Sequence, residues 1–432
     1  MLPAKQVNAP CLVEADSALG HSAYPIPTHS NFRPSGKKLA LVISHLGPGG
    51  AQRVVANAIN VLAERGLDLH LIVFTERADA YQIDPRAKCH VWSPREHRGV
   101  LNLNEENGDA EIPAAKVAAP GKRQLGLLRQ LVPSSLAFSF EIIRISAWLR
   151  RTIQTIEPDA VLSFLTQTNI LTVLATRGLD THTVISERND PRLQRHRPRV
   201  ELLRRVVYRW ADVVTANSKG ALAALEPFVP REKLAFLPNP LMAFSTKDDV
   251  KNFGAPTVVT VGRLVDQKGL DVLLIAWAKI AKAIPDWRLA IVGGGPLAGN
   301  LKNLAAKLGI ENSVDWLGQV SDPLPFLRGA EFFILTSRFE GTPNALLEAM
   351  ACGLPSVVSD ASPGPCELVG TGETAAGLIV PVEDVGATGD AIISLARNES
   401  LRRRFGLAAQ ERARDHEADR SIEVWLRLLR CE

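Results

Sequence analysis

The chain has 432 residues, 46% of them apolar and 22% charged, with a net charge of +4. That composition is ordinary for a soluble globular protein of two or three domains, and so small a charge gives no argument for nucleic acid. No apolar run reaches the roughly 18 residues of a membrane-crossing helix. The five cysteines (Cys11, Cys89, Cys352, Cys366, Cys431) show neither metal spacing nor a paired framework, which fits a reducing compartment.

The first 36 residues read as a disordered leader, since their prolines, serines and scattered polar residues lack the pattern of a signal peptide. From Lys37 strand-like and helix-like segments alternate. KLALVISHL is an apolar run, GPGG breaks it, and AQRVVANAINVLAERG has helical spacing with a glycine stop. LDLHLIVF is a second strand, followed by a polar stretch, 97–125, that reads as an insertion or loop. VPSSLAFSFEIIRISAWL suits either an interface-lying amphipathic helix or a buried core helix. PDAVLSFL, HTVISE and ADVVTANS are further strands.

A second series follows a polar link, 241–256. It runs TVVTVGRL, a helix near 269–284, WRLAIVGGG, a helix near 297–308, VDWLGQ, AEFFILTS, another helix and PSVVSD. Such alternation predicts parallel sheets covered by helices on both faces. The fold class is α/β, with two Rossmann-like domains, 37–240 and 257–410, facing across a cleft at the carboxyl ends of their strands. Residues 411–432, with Ile422, Trp425, Leu426 and Leu429 at helical spacing, form a last helix free to cross to either domain.

Charge is uneven. Arg188 to Arg209 holds eight arginines and one histidine against Asp190 and Glu201, and Lys122 to Arg151 holds six basic residues against Glu141. These are either solvated helix faces or a basic surface for anionic lipid or a phosphorylated substrate.

The strand ends carry the candidate chemistry. Gly47, Gly49 and Gly50 open a helix, where backbone amides can cradle phosphate. A dinucleotide fingerprint would need glycine or alanine where Gln52 stands, so a nicotinamide site is a weak match, although Glu76 is placed like a ribose-binding acid. Gly293 to Gly295 form a similar turn, and neither is a Walker motif. In VGRLVDQKG, Arg263 and Lys268 are two cations at one strand end, placed to neutralise a diphosphate. In RFEGTPNALLEAMACG, Thr342 suits an N-cap and Pro343 the first helical position. Glu340 precedes that helix and Glu348 lies along it among apolar neighbours. Either a basic side chain within the fold meets Glu348, or a ligand does. Free amides flanked by two acceptors of vicinal hydroxyls describe a site for a nucleotide sugar.

GRLVDQKG, VGGGP, VDWLGQV and FEGTPNALLEAMACGLPSVVSD, in this order, resemble the retaining glycosyltransferases of the GT-B fold, family 4. The glutamate pair matches that family's E-x7-E motif, and SFLTQTN with ISERNDP is similar to a bacterial surface-polysaccharide subgroup. The resemblance implies that Arg263 and Lys268 hold the donor diphosphate and stabilise the leaving group, that Glu348 bonds the ribose, and that Glu340 meets the donor sugar. Gly49, Gly50, Gly318, Gly341, Thr342, Asn344 and Leu346 would line the donor site. It implies a hexose donor bearing UDP or GDP and a lipid-linked or saccharide acceptor. The place implied is cytoplasmic, with the basic N-terminal domain at the inner face of the plasma membrane.

No Asp-x-Asp occurs, so no metal and no cofactor are expected, with the two cations in the metal's place. The chain departs from the family where many members carry a histidine after the strand corresponding to PDAVLSFL. Thr166, Gln167 and Asn169 stand there instead, leaving Gln167, Glu187 and Arg188 as acceptor-side candidates. Glu187 and Arg188 could equally form core ion pairs. Two other readings remain: a non-catalytic nucleotide-sugar-binding subunit, and an NAD(P)-dependent oxidoreductase.

Overall fold

The computed structural model describes residues 36–431 except 48, 76–80, 93–133, 195 and 243–248, and gives the backbone alone for 134–141. The leader up to residue 35, the 97–125 insertion and Glu76 thus lie outside the described residues.

The N-terminal domain runs β1 Lys38–Ile43, α1 Gly50–Glu64, β2 Asp68–Val73, β3 Lys88–Val91, α2 Ser134–Ile156, β4 Ala160–Phe164, α3 Thr166–Thr176, β5 His182–Glu187, α4 Pro198–Val207, β6 Val213–Ala216, α5 Lys219–Leu225 and β7 Leu234–Phe236. Among the described residues its seven strands pair in the order β3-β2-β1-β4-β5-β6-β7, all parallel. The reason for the near-continuous apolar strands is visible in β1. Leu39, Leu41 and Ile43 pack on Val55, Ile59 and Leu62 of α1, while Ala40 and Val42 pack on Ile145, Leu149 and Ile153 of α2. Alternate side chains enter opposite cores, so no position is left for a polar residue. The ambiguous VPSSLAFSFEIIRISAWL segment is therefore, over its described side chains, a core helix.

The C-terminal domain runs β8 Thr257–Val261, α6 Leu270–Ile280, β9 Arg288–Val292, α7 Ala298–Lys307, β10 Val314–Gly318, α8 Leu324–Arg328, β11 Phe332–Leu335, α9 Asn344–Ala351, β12 Ser356–Ser359, α10 Pro363–Val369, β13 Gly377–Val380, α11 Val385–Arg397 and α12 Glu399–Ala413. Its six parallel strands are ordered β10-β9-β8-β11-β12-β13. Phe332 and Ile334 of β11 face α6 and α11, whereas Phe333 and Leu335 face α9 and α12.

The final helix, α13 Ala418–Leu428, returns to the N-terminal domain. Its Ile422, Trp425 and Leu426 join the α1 side of the first core. Trp425 is fully buried, lies 5.8 Å from Phe164 between ring centres and donates its indole N–H to the Pro238 carbonyl at 2.9 Å. The edge strands β3 and β7 escape the sequence pattern because KCHV and LAF are short, and β3 is largely exposed.

Replacing a buried tryptophan by alanine removes area and leaves a cavity, at a cost of about 3–5 kcal/mol. Trp425→Ala should lower the urea-unfolding free energy by about that much, which equilibrium denaturation followed by circular dichroism will measure.

Candidate functional site

The carboxyl ends of the two sheets meet. The β11–α9 loop crosses the gap so closely that a Cβ on Gly341 would lie 2.1 Å from the Arg188 carbonyl oxygen and 2.7 Å from Asn217 Oδ1. No side chain fits there. The Thr342 hydroxyl donates to the Asn217 carbonyl across the same gap. Thr342 is therefore not the helix cap. The helix begins at Asn344, with Pro343 in the cap position and no side-chain cap, because the threonine hydroxyl is spent on the opposite domain. On the other wall, Glu367 accepts from the Lys219 and Gly220 amides at 3.0 and 2.9 Å.

Glu340 is buried beside Lys268. The ammonium lies 2.5 Å from Oε1, and the Ser337 hydroxyl donates to the same oxygen at 2.7 Å. Two stitches fix this geometry: Arg338 N–H donates to the Gln267 carbonyl at 2.7 Å, and Gln267 Nε2 donates to the Phe339 carbonyl at 2.8 Å. Gly269 is left-handed (φ 58°), and a Cβ there would meet the Thr336 carbonyl oxygen at 2.2 Å, so only glycine lets this turn approach β11. Arg263 and Lys268 line one recess together with Gly262 and Leu270. The two cations the sequence singles out are thus brought together with Glu340.

Glu348 has a partner the sequence reading did not name. Arg53, one turn into α1 of the opposite domain, reaches its Oε1 at 2.9 Å and Oε2 at 3.1 Å. Glu348 is 4% exposed. Burial pushes its carboxyl up to about 7, against the opposing pull of Arg53. The signal for Arg53 was present, since it is the first cation after the glycine turn. Finding it required knowing that α1 faces α9.

The glycine turn is braced from within. Gly47 N–H donates to His45 Nδ1 at 3.0 Å, and Gly49 N–H to the Tyr81 hydroxyl at 3.1 Å. Gln52 fills the space beside Gly49, where a Cβ would lie 2.2 Å from Gln52 Oε1. Gly50 offers its carbonyl to Asn344 Nδ2 at 3.0 Å. Leu346 faces the core and presents only backbone to the cleft side, and Gly318 (φ 70°) ends β10 with its carbonyl accepting from Gly293.

Glu187 and Arg188 do not pair with each other. Glu187 is buried, accepting from the hydroxyls of Thr166 (2.9 Å) and Tyr208. Burial, and then the neighbouring carboxylate, raise the Tyr208 phenol well above its ordinary value. Since Thr166 donates to Glu187, its 3.1 Å contact with His196 is one in which the imidazole Nε2–H donates. Leu165, at φ 75°, turns Thr166 into this position. Arg188 lies 4.9 Å above the Phe164 ring and 5.8 Å from that of Trp425, and donates to Asn239 Oδ1 at 2.8 Å. Burial draws its guanidinium down to about 9. Gln167 sits half-buried in the first turn of α3. His196 and Tyr208 carried no sequence signal, because their meeting with Thr166 and Glu187 depends on the return of the chain through α4.

Residues 49–240 match the family model of the glycosyl transferase 4-like domain, and residues 244–412 that of the glycosyl transferases group 1. An uncharacterised glycosyltransferase of Haemophilus influenzae is 25% identical over 400 residues, covering 91% of this chain and 100% of that one. A Campylobacter jejuni protein, N-acetylgalactosamine-N,N'-diacetylbacillosaminyl-diphospho-undecaprenol 4-alpha-N-acetylgalactosaminyltransferase, is 26% identical over 394 residues, 88% of this chain and 95% of that one. HepE from Anabaena, solved in complex with UDP, superposes with a TM-score of 0.66 at 18% identity over 92% of this chain and 100% of that one.

A carboxyl raised from 4.5 to about 7 on folding holds more protons in the folded than in the unfolded chain between those values, so stability falls as pH rises through that window. Wild-type protein should lose on the order of 3 kcal/mol relative to Glu348→Gln between pH 5 and pH 8. Urea denaturation of both chains at the two pH values will check it.

Proposed function

We propose, for a chain that belongs to the group 1 glycosyl transferases and has their two-domain GT-B fold, transfer of a hexose-type sugar from a UDP- or GDP-sugar to a lipid-linked or saccharide acceptor, with retention of anomeric configuration. The observation that carries this reading is the placement of one carboxylate, Glu340, beside Lys268 and the Arg263 recess, with a second, Glu348, one helix turn away from the Asn344 start of α9. Glu348 would accept from the ribose hydroxyls in exchange for Arg53. Arg263 and Lys268 would hold the diphosphate, and Glu340 would meet the sugar. The bond from the anomeric carbon to the diphosphate oxygen breaks, and the acceptor oxygen bonds to that carbon on the same face. The acceptor proton passes to the departing phosphate oxygen, whose charge the two cations stabilise. We hold this to be metal-independent, the cations doing what a divalent ion does elsewhere. Of the acceptor-side candidates, the half-buried Gln167 would contact the acceptor, while Glu187 and Arg188 are buried and bonded within the N-terminal domain.

Two observations support a lipid-linked acceptor at a membrane face. The Campylobacter relative's name specifies a diphospho-undecaprenol acceptor. In addition, α4 turns Leu202 (65% exposed) and Val206 outward beside Arg199, Arg205, Arg209 and Trp210, a face with apolar centre and basic rim suited to an anionic bilayer. No described helix is long and apolar enough to cross a membrane.

A thermal-shift screen against UDP-, GDP- and ADP-sugars should single out one donor by its stabilisation. Slow donor hydrolysis or transfer by the purified chain would then separate an enzyme from a binding subunit. With that donor, Arg263→Ala and Glu348→Ala should each weaken binding roughly 10- to 100-fold, the scale of a lost charged hydrogen bond. Glu340→Ala should lower turnover more than binding; an unchanged transfer rate would remove Glu340 from its role. Flotation with phosphatidylglycerol-containing vesicles should recover wild-type chain and lose the Leu202→Asp/Val206→Asp double variant, with neither floating on phosphatidylcholine alone.

A further inference from the structure

We infer that Asn239, in the segment joining the domains, is a positioning residue that sets Glu340 of the β11–α9 loop and Glu348 of α9 by clamping that loop between Arg188 and Gly50. Asn239 is 3% exposed, and its amide is used at both ends. Oδ1 accepts from Arg188 at 2.8 Å and faces Asn217 Nδ2 at 3.4 Å. Nδ2 donates to the Thr342 carbonyl at 3.0 Å and to Asn344 Oδ1 at 2.6 Å. Asn344 Nδ2 in turn donates to the Gly50 carbonyl at 3.0 Å. Every link runs from donor to acceptor in one direction, from the guanidinium at the β5 end, through the joining segment and the donor-side loop, to the glycine turn.

Only a primary amide serves both ends, because one side presents a cation and the other two acceptors. The amide is also held still. Pro238 and Pro240 flank it, and the Pro238 carbonyl is taken by Trp425 of α13. Glu340 stands two residues before Thr342, and Glu348 one helical turn after Asn344. A shift of the clamped atoms therefore moves both carboxylates.

The inference rests on the donor reading of those glutamates, so its test has an arm that needs no donor. Asn239→Asp keeps an acceptor for Arg188 but sets a carboxylate against the Thr342 carbonyl and Asn344 Oδ1. Amide hydrogen exchange in peptides spanning 338–350 should accelerate at least tenfold, while peptides of β1 and β8 and the melting temperature stay as in wild type. Asn344→Ala, which cuts the later links, should accelerate the same peptides if Asn239→Asp does not fold. UDP and GDP titrations should show the nucleotide that wild type binds held at least tenfold more weakly by either variant. Unchanged exchange across 338–350, or acceleration spread evenly over the chain, overturns the inference. If wild type binds neither nucleotide, the donor reading fails while the exchange result still decides the clamp.

Discussion

The molecule is organised around one buried carboxylate answered from the opposite domain. Glu348 sits on a helix whose neighbours Leu346, Leu347, Ala349 and Met350 are committed to the core beneath it, so its charge has no outlet within its own domain. An ionised carboxylate cannot be buried alone. Arg53 resolves this, but only if α1 and α9 lie face to face, and that requirement fixes how the two sheets are docked. The close approaches follow from it. Gly341 lies against the Arg188 carbonyl, and a Cβ on Gly220 would lie 2.1 Å from Pro363 Cγ. Where the backbones must come that near, side chains are absent.

The same docking explains α13. A joint made of one ion pair and a few hydrogen bonds would be weak in net terms, since the desolvation cost of a buried pair offsets most of its Coulombic gain. The chain leaves the C-terminal domain after α12 and buries Ile422, Trp425 and Leu426 in the N-terminal core. Burying three large apolar side chains stabilises the joint more than the ion pair does, and it ties the end of the second domain to the first. Arg188 profits from this arrangement: its guanidinium, with no carboxylate ion pair among the described contacts, rests against the packed rings of Phe164 and Trp425.

Most of the architecture was legible in the sequence because parallel strands buried on both faces write long apolar runs, as in KLALVI and RLAIV, whose meaning is local. Arg263, Lys268 and Glu340 were legible for a related reason, as they stand at the ends of such strands. What was not legible depended on the meeting of distant segments. Arg53 lies 295 residues from Glu348, and Asn239 over a hundred from Asn344. Thr342 was misread as a cap because its local pattern is that of a cap; its hydroxyl is claimed instead by a carbonyl 125 residues away. The short edge strands β3 and β7 failed for the opposite reason, having too few residues to write any pattern.

The two ion pairs of the cleft bear on how a donor could be held without large cost. Glu340 with Lys268, and Glu348 with Arg53, are each a buried or half-buried pair, and removing one member of such a pair typically costs about 3–5 kcal/mol. A ligand that merely broke them would have to supply that much before gaining anything. A nucleotide sugar need not break them without replacement. Its vicinal hydroxyls can satisfy Glu348 as Arg53 yields, and its phosphates can take a share of Lys268 while Ser337 continues to satisfy Glu340. Arg53, once displaced, remains beside the same anionic ligand. The proposed donor would therefore be distinguished from other ligands of similar size less by the number of contacts it makes than by carrying both hydroxyl donors for Glu348 and phosphate acceptors for Lys268. A nucleoside with no diphosphate, or a diphosphate with no ribose, would satisfy one pair and strand the other.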